Sequence, residues 1–263
     1  MDKCLCIIFL IISYLYLVYT NNNKECFNNE EKNNIFWTGG YDSTFRLCYL
    51  LIMEQKIVQP YYFTCKIDSN GLNGNIYRRN KTNEINTMNK IREYINKKFP
   101  HLATNFLKTI YIDKVPENKE LRTKLYYIGD YKKHKQRRKY SQYSAMALYT
   151  LKYKKYIEVG YVEVIGGGTD ETLNKNNKTI IDDNYHDYIK NNIVNYNGNY
   201  CIKIKNSPLR FLYFPLAFID KKIMKKISIR LDFYDVLLLT FSCWYPTNNK
   251  PCGKCIMCKR RII

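Results

Sequence analysis

The sequence predicts an α/β protein with a doubly wound, mostly parallel sheet. Strand-like runs rich in β-branched and aromatic residues alternate with stretches of helical periodicity, the signature of βαβ units. A chain of 263 residues with 46% apolar composition can bury both faces of such a sheet without disulfide staples. A glycine-rich turn joins the first strand-like run to the first helical one, where open α/β sheets bind ligands.

The strand-like runs lie at 35–37, 57–67, 106–112, 161–165 and 209–214. Helical periodicity covers 43–53, 83–98, 141–156, 185–194 and 219–229. No internal repeat interrupts this succession. The expected organisation is an apolar segment and Asn/Lys-rich linker at 1–32, an α/β domain at 33–240 and a cysteine-bearing region at 241–263.

The stretch CLCIIFLIISYLYLVY at 4–19 is continuously apolar but shorter than the roughly 20 residues that a membrane-spanning helix needs. It lacks the basic start and small-residue cleavage site of a signal peptide. An uncleaved membrane anchor, a poor signal peptide and a mis-called start codon are the three readings it admits.

A formal charge of +20 invites a nucleic-acid partner. However, Lys, Asn, Ile and Tyr are enriched in every part of the chain, as compositional bias produces, rather than on one face. The run YKKHKQRRK at 131–139 is the exception, a solvated charge run or a clamp for phosphates or RNA. Nucleic acid is therefore not the favoured partner. The sequons at Asn80 and Asn177 are of the kind chance supplies in an Asn-rich chain.

In IFWTGGYDSTFRL, at 35–47, backbone amides and the positive end of a helix dipole converge at the strand-to-helix turn, a place where anions bind. Gly39 and Gly40 are expected to take positive φ and to let the main chain approach a phosphate. Thr38 and Ser43 add hydroxyl donors, with Ser43 as the expected helix N-cap. The carboxylate of Asp42 would repel a phosphate unless it orients the loop or holds Mg²⁺. The alternative is an ordinary strand-to-helix turn. No Gly-Lys-Ser/Thr follows, so this is not a Walker A loop.

The C-terminal SCWYPTNNKPCGKCIMCKRR brings Cys243, Cys252, Cys255 and Cys258 into metal-like spacing. Such thiolates can close a tetrahedral structural site around Zn²⁺, with Gly253 allowing a tight turn and the neighbouring Lys and Arg offsetting the excess negative charge. An iron-sulfur cluster and free buried thiols are the alternatives.

The loop resembles the Ser-Gly-Gly-x-Asp-Ser loop of the PP-loop ATP pyrophosphatases, with Thr38 in place of the first Ser. With the C-terminal Ser-Cys-x8-Cys-Gly-x-Cys-x-x-Cys-x-x-Arg pattern, the chain is similar to the 7-cyano-7-deazaguanine synthases of the queuosine precursor pathway over about 35–261. The resemblance implies an adenine nucleotide alpha hydrolase-like fold, ATP with Mg²⁺, and a structural zinc. It implies nucleotide contacts at Thr38, Gly39, Gly40, Tyr41, Asp42, Ser43 and Thr44, and chemistry at Asp42, Ser43, Arg138 and Asp170. It further implies 7-carboxy-7-deazaguanine and ammonia as substrates, a homodimer and a cytoplasmic location. Within GGGTDE at 166–171, Asp170 or Glu171 would hold Mg²⁺ or position a base. Either Ser207-Pro208-Leu209 or Pro215-Leu216, followed by Lys221 or Lys222, is similar to the family's Pro-Leu...Lys segment. Where that family carries Pro-Gly-Arg-Asn, this chain has Arg138, Gln142 and Tyr143, and Arg78 and Arg79 before Glu84 match its pattern only loosely. Two other readings are a PP-loop enzyme that thiolates or aminates tRNA, and a catalytically silent zinc-bearing binding protein.

Overall fold

A computed structural model of the chain describes residues 32–65, 80–128, 142–162, 183–196, 199–204, 206–243, 245–248, 250–255 and 258. At its centre, β1 (Lys32–Phe36) pairs in parallel with β2 (Ile57–Phe63), which pairs in parallel with β3 (Ile110–Ile112). On its other side β1 pairs in parallel with β4 (Ile157–Val159), followed by a parallel β7 (Leu212–Tyr213). The far edge is a hairpin of β5 (Ile193–Tyr196) and β6 (Asn199–Ile202), with β6 antiparallel to β7. The resulting order, β3-β2-β1-β4-β7-β6-β5, makes a seven-stranded, mostly parallel sheet. The chain runs outward from β1 to β3, then crosses back to β4. The carboxyl end of β1 is thus the point where the winding reverses, the place at which open α/β sheets bind ligands.

Alternation along the central strands sends side chains to two separate cores. Ile35, Trp37, Val58 and Tyr62 pack with Phe45, Leu47, Met88, Ile91, Met224 and Phe233. These partners come from α1 (Tyr41–Cys48), α2 (Lys81–Lys98), α6 (Lys221–Arg230) and the turn into α7 (Tyr234–Leu238). Phe36, Tyr61 and Phe63 face the other way, toward Leu125 of α3 (Lys119–Ile128), Ala145–Leu148 of α4 (Gln142–Tyr153) and Ile189 of α5 (Asp183–Asn192). Helices therefore cover both faces, as a doubly wound sheet requires.

Several boundaries differ from the sequence expectation. The strand expected at 161–165 is instead β4, because pairing Ile35 with Glu158 and Phe36 with Val159 sets the register. Residues 163–165 of that run lie outside the described residues. Only the end of the run at 106–112 forms β3, with an isolated bridge from Phe106 to Val58, and only two residues of the run at 209–214 pair. The helix expected at 43–53 starts earlier and passes into a π-helical turn, Tyr49–Met53. The start of α6 is set by Asp220, whose carboxylate accepts from the Lys222 amide at 2.6 Å.

Buried charge accompanies the β4 register. Arg46 of α1 donates from Nε to Glu158 at 2.7 Å and from Nη1 to Glu54 at 2.7 Å. Burial opposes its charge, but the two carboxylates more than offset this and hold the guanidinium protonated. Among the described residues no helix is long and apolar enough to cross a membrane. The apolar segment at 4–19 lies outside them.

Candidate active site

The loop leaving β1 is shaped from three sides. Strand pairing continues to Trp37, whose amide donates to Tyr61 O at 2.9 Å, and then the chain turns. Gly39 takes φ +71°, and a Cβ there would lie 3.1 Å from Thr87 Cγ2 and 3.3 Å from Met88 Cγ on α2. Conformation and space both demand glycine at this position. Opposite, beyond β4, a Cβ on Gly160 would come within 2.6 Å of the Ser43 amide nitrogen. The first turn of α1 is thus seated against bare backbone.

Gly40 and Ser43 depart from expectation. Gly40 has φ −77°, an extended conformation, and is itself the N-cap of α1 with no side-chain capping bond. Ser43 lies inside the first turn, and its hydroxyl donates to Gly40 O at 3.3 Å. An approach between backbones, rather than a hydroxyl cap, starts the helix. The amides of Asp42 and Ser43 consequently have no hydrogen-bond partner among the described residues, and the helix dipole adds to their positive field.

Not every loop residue presents its side chain to this opening. Thr44 is fully buried, and its hydroxyl accepts from Trp37 Nε1 at 3.0 Å, bracing the loop from the core. The Tyr41 ring is also buried, and burial pushes its phenol up to about 12. Of the other loop residues, Thr38, Gly40 and Asp42 are half-buried, whereas Gly39 and Ser43 are buried.

Asp42 is paired with Lys221, the first residue of α6, at 3.2 Å. Burial raises the Asp42 carboxyl above its ordinary range, and the lysine offsets part of that rise. The Lys221 ammonium also lies 5.5 Å from the Tyr41 ring centroid. Of the two lysines that follow the Pro-Leu segments, Lys221 is the one paired with Asp42. Ser207 instead serves a turn, its hydroxyl accepting from the Leu209 amide at 3.1 Å. Sequence reasoning missed Gly160 and the buried bond in which Tyr62 Oη donates to Glu84 Oε2 at 2.6 Å beside the loop, and it gave no role of its own to Ser242 of the Ser-Cys pattern. A glycine directly after a core strand was the available signal for the first of these.

The four cysteines converge. Their sulfurs all lie within 4.8 Å of one another, with Cys252 to Cys258 at 3.9 Å, Cys255 to Cys243 at 4.0 Å and Cys255 to Cys258 at 3.5 Å. A tetrahedral ion with bonds of about 2.3 Å requires sulfur–sulfur edges of about 3.8 Å, so the cluster fits a four-thiolate metal. Gly253 takes φ +68° within the knuckle. The amides of Lys254 and Cys255 bring the Cys252 thiol down to about 6, whereas burial and neighbouring thiols push Cys258 up to about 12.

Arg138, Asp170 and Glu171 lie outside the described residues, as do Arg78, Arg79 and the basic run at 131–139. Gln142 opens α4, and Tyr143 is buried, its ring 6.4 Å from that of Tyr161.

The family model described as queuosine biosynthesis protein QueC matches residues 35–262. No curated protein and no solved structure matches the chain. The match extends from the strand before the glycine loop through all four cysteines, and the chain belongs to the QueC family of queuosine biosynthesis, the 7-cyano-7-deazaguanine synthases.

Proposed function

We propose that the chain is an ATP-dependent carbon-nitrogen ligase that converts 7-carboxy-7-deazaguanine and ammonia to the corresponding nitrile. The observation that carries this reading is a helix start whose Asp42 and Ser43 amides have no partner among the described residues, at the winding reversal of the sheet, in a chain matched to the family from 35 to 262. The domain at 33–240 performs the chemistry and the region at 241–263 staples it, in a cytoplasmic homodimer.

In the proposed reaction the substrate carboxylate attacks the α-phosphorus of ATP, breaking the bond to the β-phosphate and releasing pyrophosphate. Ammonia displaces AMP from the acyl-adenylate and loses a proton, giving the amide. The amide oxygen attacks the α-phosphorus of a second ATP, breaking the bond to the β-phosphate and releasing a second pyrophosphate, and departure of AMP with loss of a proton from nitrogen leaves the nitrile. The amides of Asp42 and Ser43 hold the departing pyrophosphate, which requires cations and donors placed where its charge develops. Asp42 is the residue suited to Mg²⁺, an ion that supplies charge neutralisation to phosphate oxygens. Lys221 keeps the Asp42 carboxylate oriented. Arg138 and Asp170 are proposed to complete the acceptor side. Cys243, Cys252, Cys255 and Cys258 are proposed to hold zinc, whose closed thiolate set leaves no position for substrate.

Isotope exchange between pyrophosphate and ATP tests the reading. Exchange that depends on the deazapurine acid is expected. Exchange that depends on tRNA would replace it with a tRNA-modifying activity, and absence of exchange under every condition would leave a silent binding protein.

A further inference from the structure

The loop and the cysteine cluster are joined by hydrogen bonds spanning most of the chain. The Phe241 amide donates to Gly39 O at 3.0 Å. The Tyr41 amide donates to Ser242 Oγ at 3.4 Å. Asn80 Nδ2, at the start of α2, donates to Cys243 O at 2.7 Å. Three consecutive residues, ending on the first metal-type cysteine, are thus tied to the loop and to the helix that packs against it.

Ser242 stands closest to the site. Its Oγ would lie 3.5 Å from a Cβ on Gly40, the residue that caps α1. By accepting from Tyr41, it satisfies a first-turn amide that the helix itself leaves unbonded. A hydroxyl accepts and donates at once, so the Ser242 proton stays available beside Gly40. The segment 241–242 is only half-buried and runs directly into the buried Cys243. A metal that orders Cys243 orders these residues too.

We propose that Ser242 is a positioning residue for the phosphate loop, through which the order of the four-cysteine cluster reaches the pyrophosphate site. The proposal rests on the ATP reading above. In the full-length, zinc-loaded protein, Ser242→Ala should weaken binding of inorganic pyrophosphate about tenfold, as loss of one hydrogen bond does, with zinc content and melting temperature preserved. Ser242→Thr, which keeps the hydroxyl, should restore most of the affinity. Hydrogen exchange during zinc chelation gives a second measurement. The Tyr41 and Phe241 amides should lose protection before those of β2 do. If Ser242→Ala binds pyrophosphate as tightly as the parent, or if those two amides keep their protection after zinc leaves, the proposal is overturned. If the parent itself binds neither pyrophosphate nor ATP, the ATP reading falls and takes this inference with it.

Discussion

The loop after β1 and the four-cysteine cluster lie next to each other, joined through Phe241 and Gly39, yet they are held by opposite means. The cluster is a set of side chains, close in sequence, whose sulfurs converge within 4.8 Å. The loop is a set of backbone groups made available by what is missing: no Cβ on Gly39 or Gly160, and no capping side chain on α1. One region is organised for stability and closes on itself. The other keeps amides that are unsatisfied among the described residues, which opposes folding but suits an anion, beside a half-buried carboxyl paired with Lys221.

The variant expected to shift stability most is Cys255→Ser. Four-thiolate zinc sites stabilise small domains by about 10–16 kcal/mol, so loss of one ligand should empty the site and drive the protein out of solution. Metal analysis of purified protein checks this, and a soluble, stable, zinc-free variant would remove the cluster from its structural role.

Next comes the ion pair that seats α1 on β4. Glu158→Ala would leave the Arg46 guanidinium buried with Glu54 alone, at a cost of about 3–5 kcal/mol, or roughly 10 °C in melting temperature. A change below about 2 °C in thermal unfolding would show that the loop's helix does not depend on this pair.

Gly160→Ala should have a smaller effect on stability, about 1–3 kcal/mol, because the new methyl meets the Ser43 backbone and must push α1 aside. Its diagnostic effect is on the site: the KM for ATP should rise more than the loss of stability would produce. Steady-state kinetics at a temperature where the variant is fully folded separates the two.

Asp42→Asn should affect stability least and activity most. The folded pKa of Asp42 is raised, so the native state binds its proton more tightly than the unfolded chain does. Stability from this group is then present at low pH, and it is lost as pH rises from the ordinary carboxylate value through the folded one. At pH 7 the asparagine variant should melt no lower than the parent, with the difference shrinking toward pH 4, while ATP cleavage disappears. A fall of more than about 4 °C at pH 7 would mean that the Lys221 pair outweighs the burial.

Much of the architecture is legible in the sequence because it rests on short-range patterns. Runs rich in β-branched and aromatic residues mark β1 and β2, helical periodicity marks α2 and α4, and cysteine spacing marks the cluster. The position of β4 is not legible because its centre is Glu158, and a charged residue reads as solvent-facing until Arg46 is known to meet it. The edge hairpin escapes the strand pattern although Asn197-Gly198, a pair that favours tight turns, lies between its strands. The burial of the Thr44 and Tyr41 side chains is not legible either, because loop membership says nothing of side-chain direction, which Trp37 and the helical core decide.

By itself the sequence determined the fold class, the strand-to-helix turn built on Gly39, and the set of thiols that closes near the C-terminus. These depend on residue type and local spacing, and both survive in one dimension. Only the tertiary structure decided that Gly160 seats the helix start, that Lys221 lies beside Asp42, and that Ser242 reaches the loop from a distant part of the chain. Such contacts arise when a sheet reverses its winding and brings separate strand ends together, a proximity no local pattern encodes.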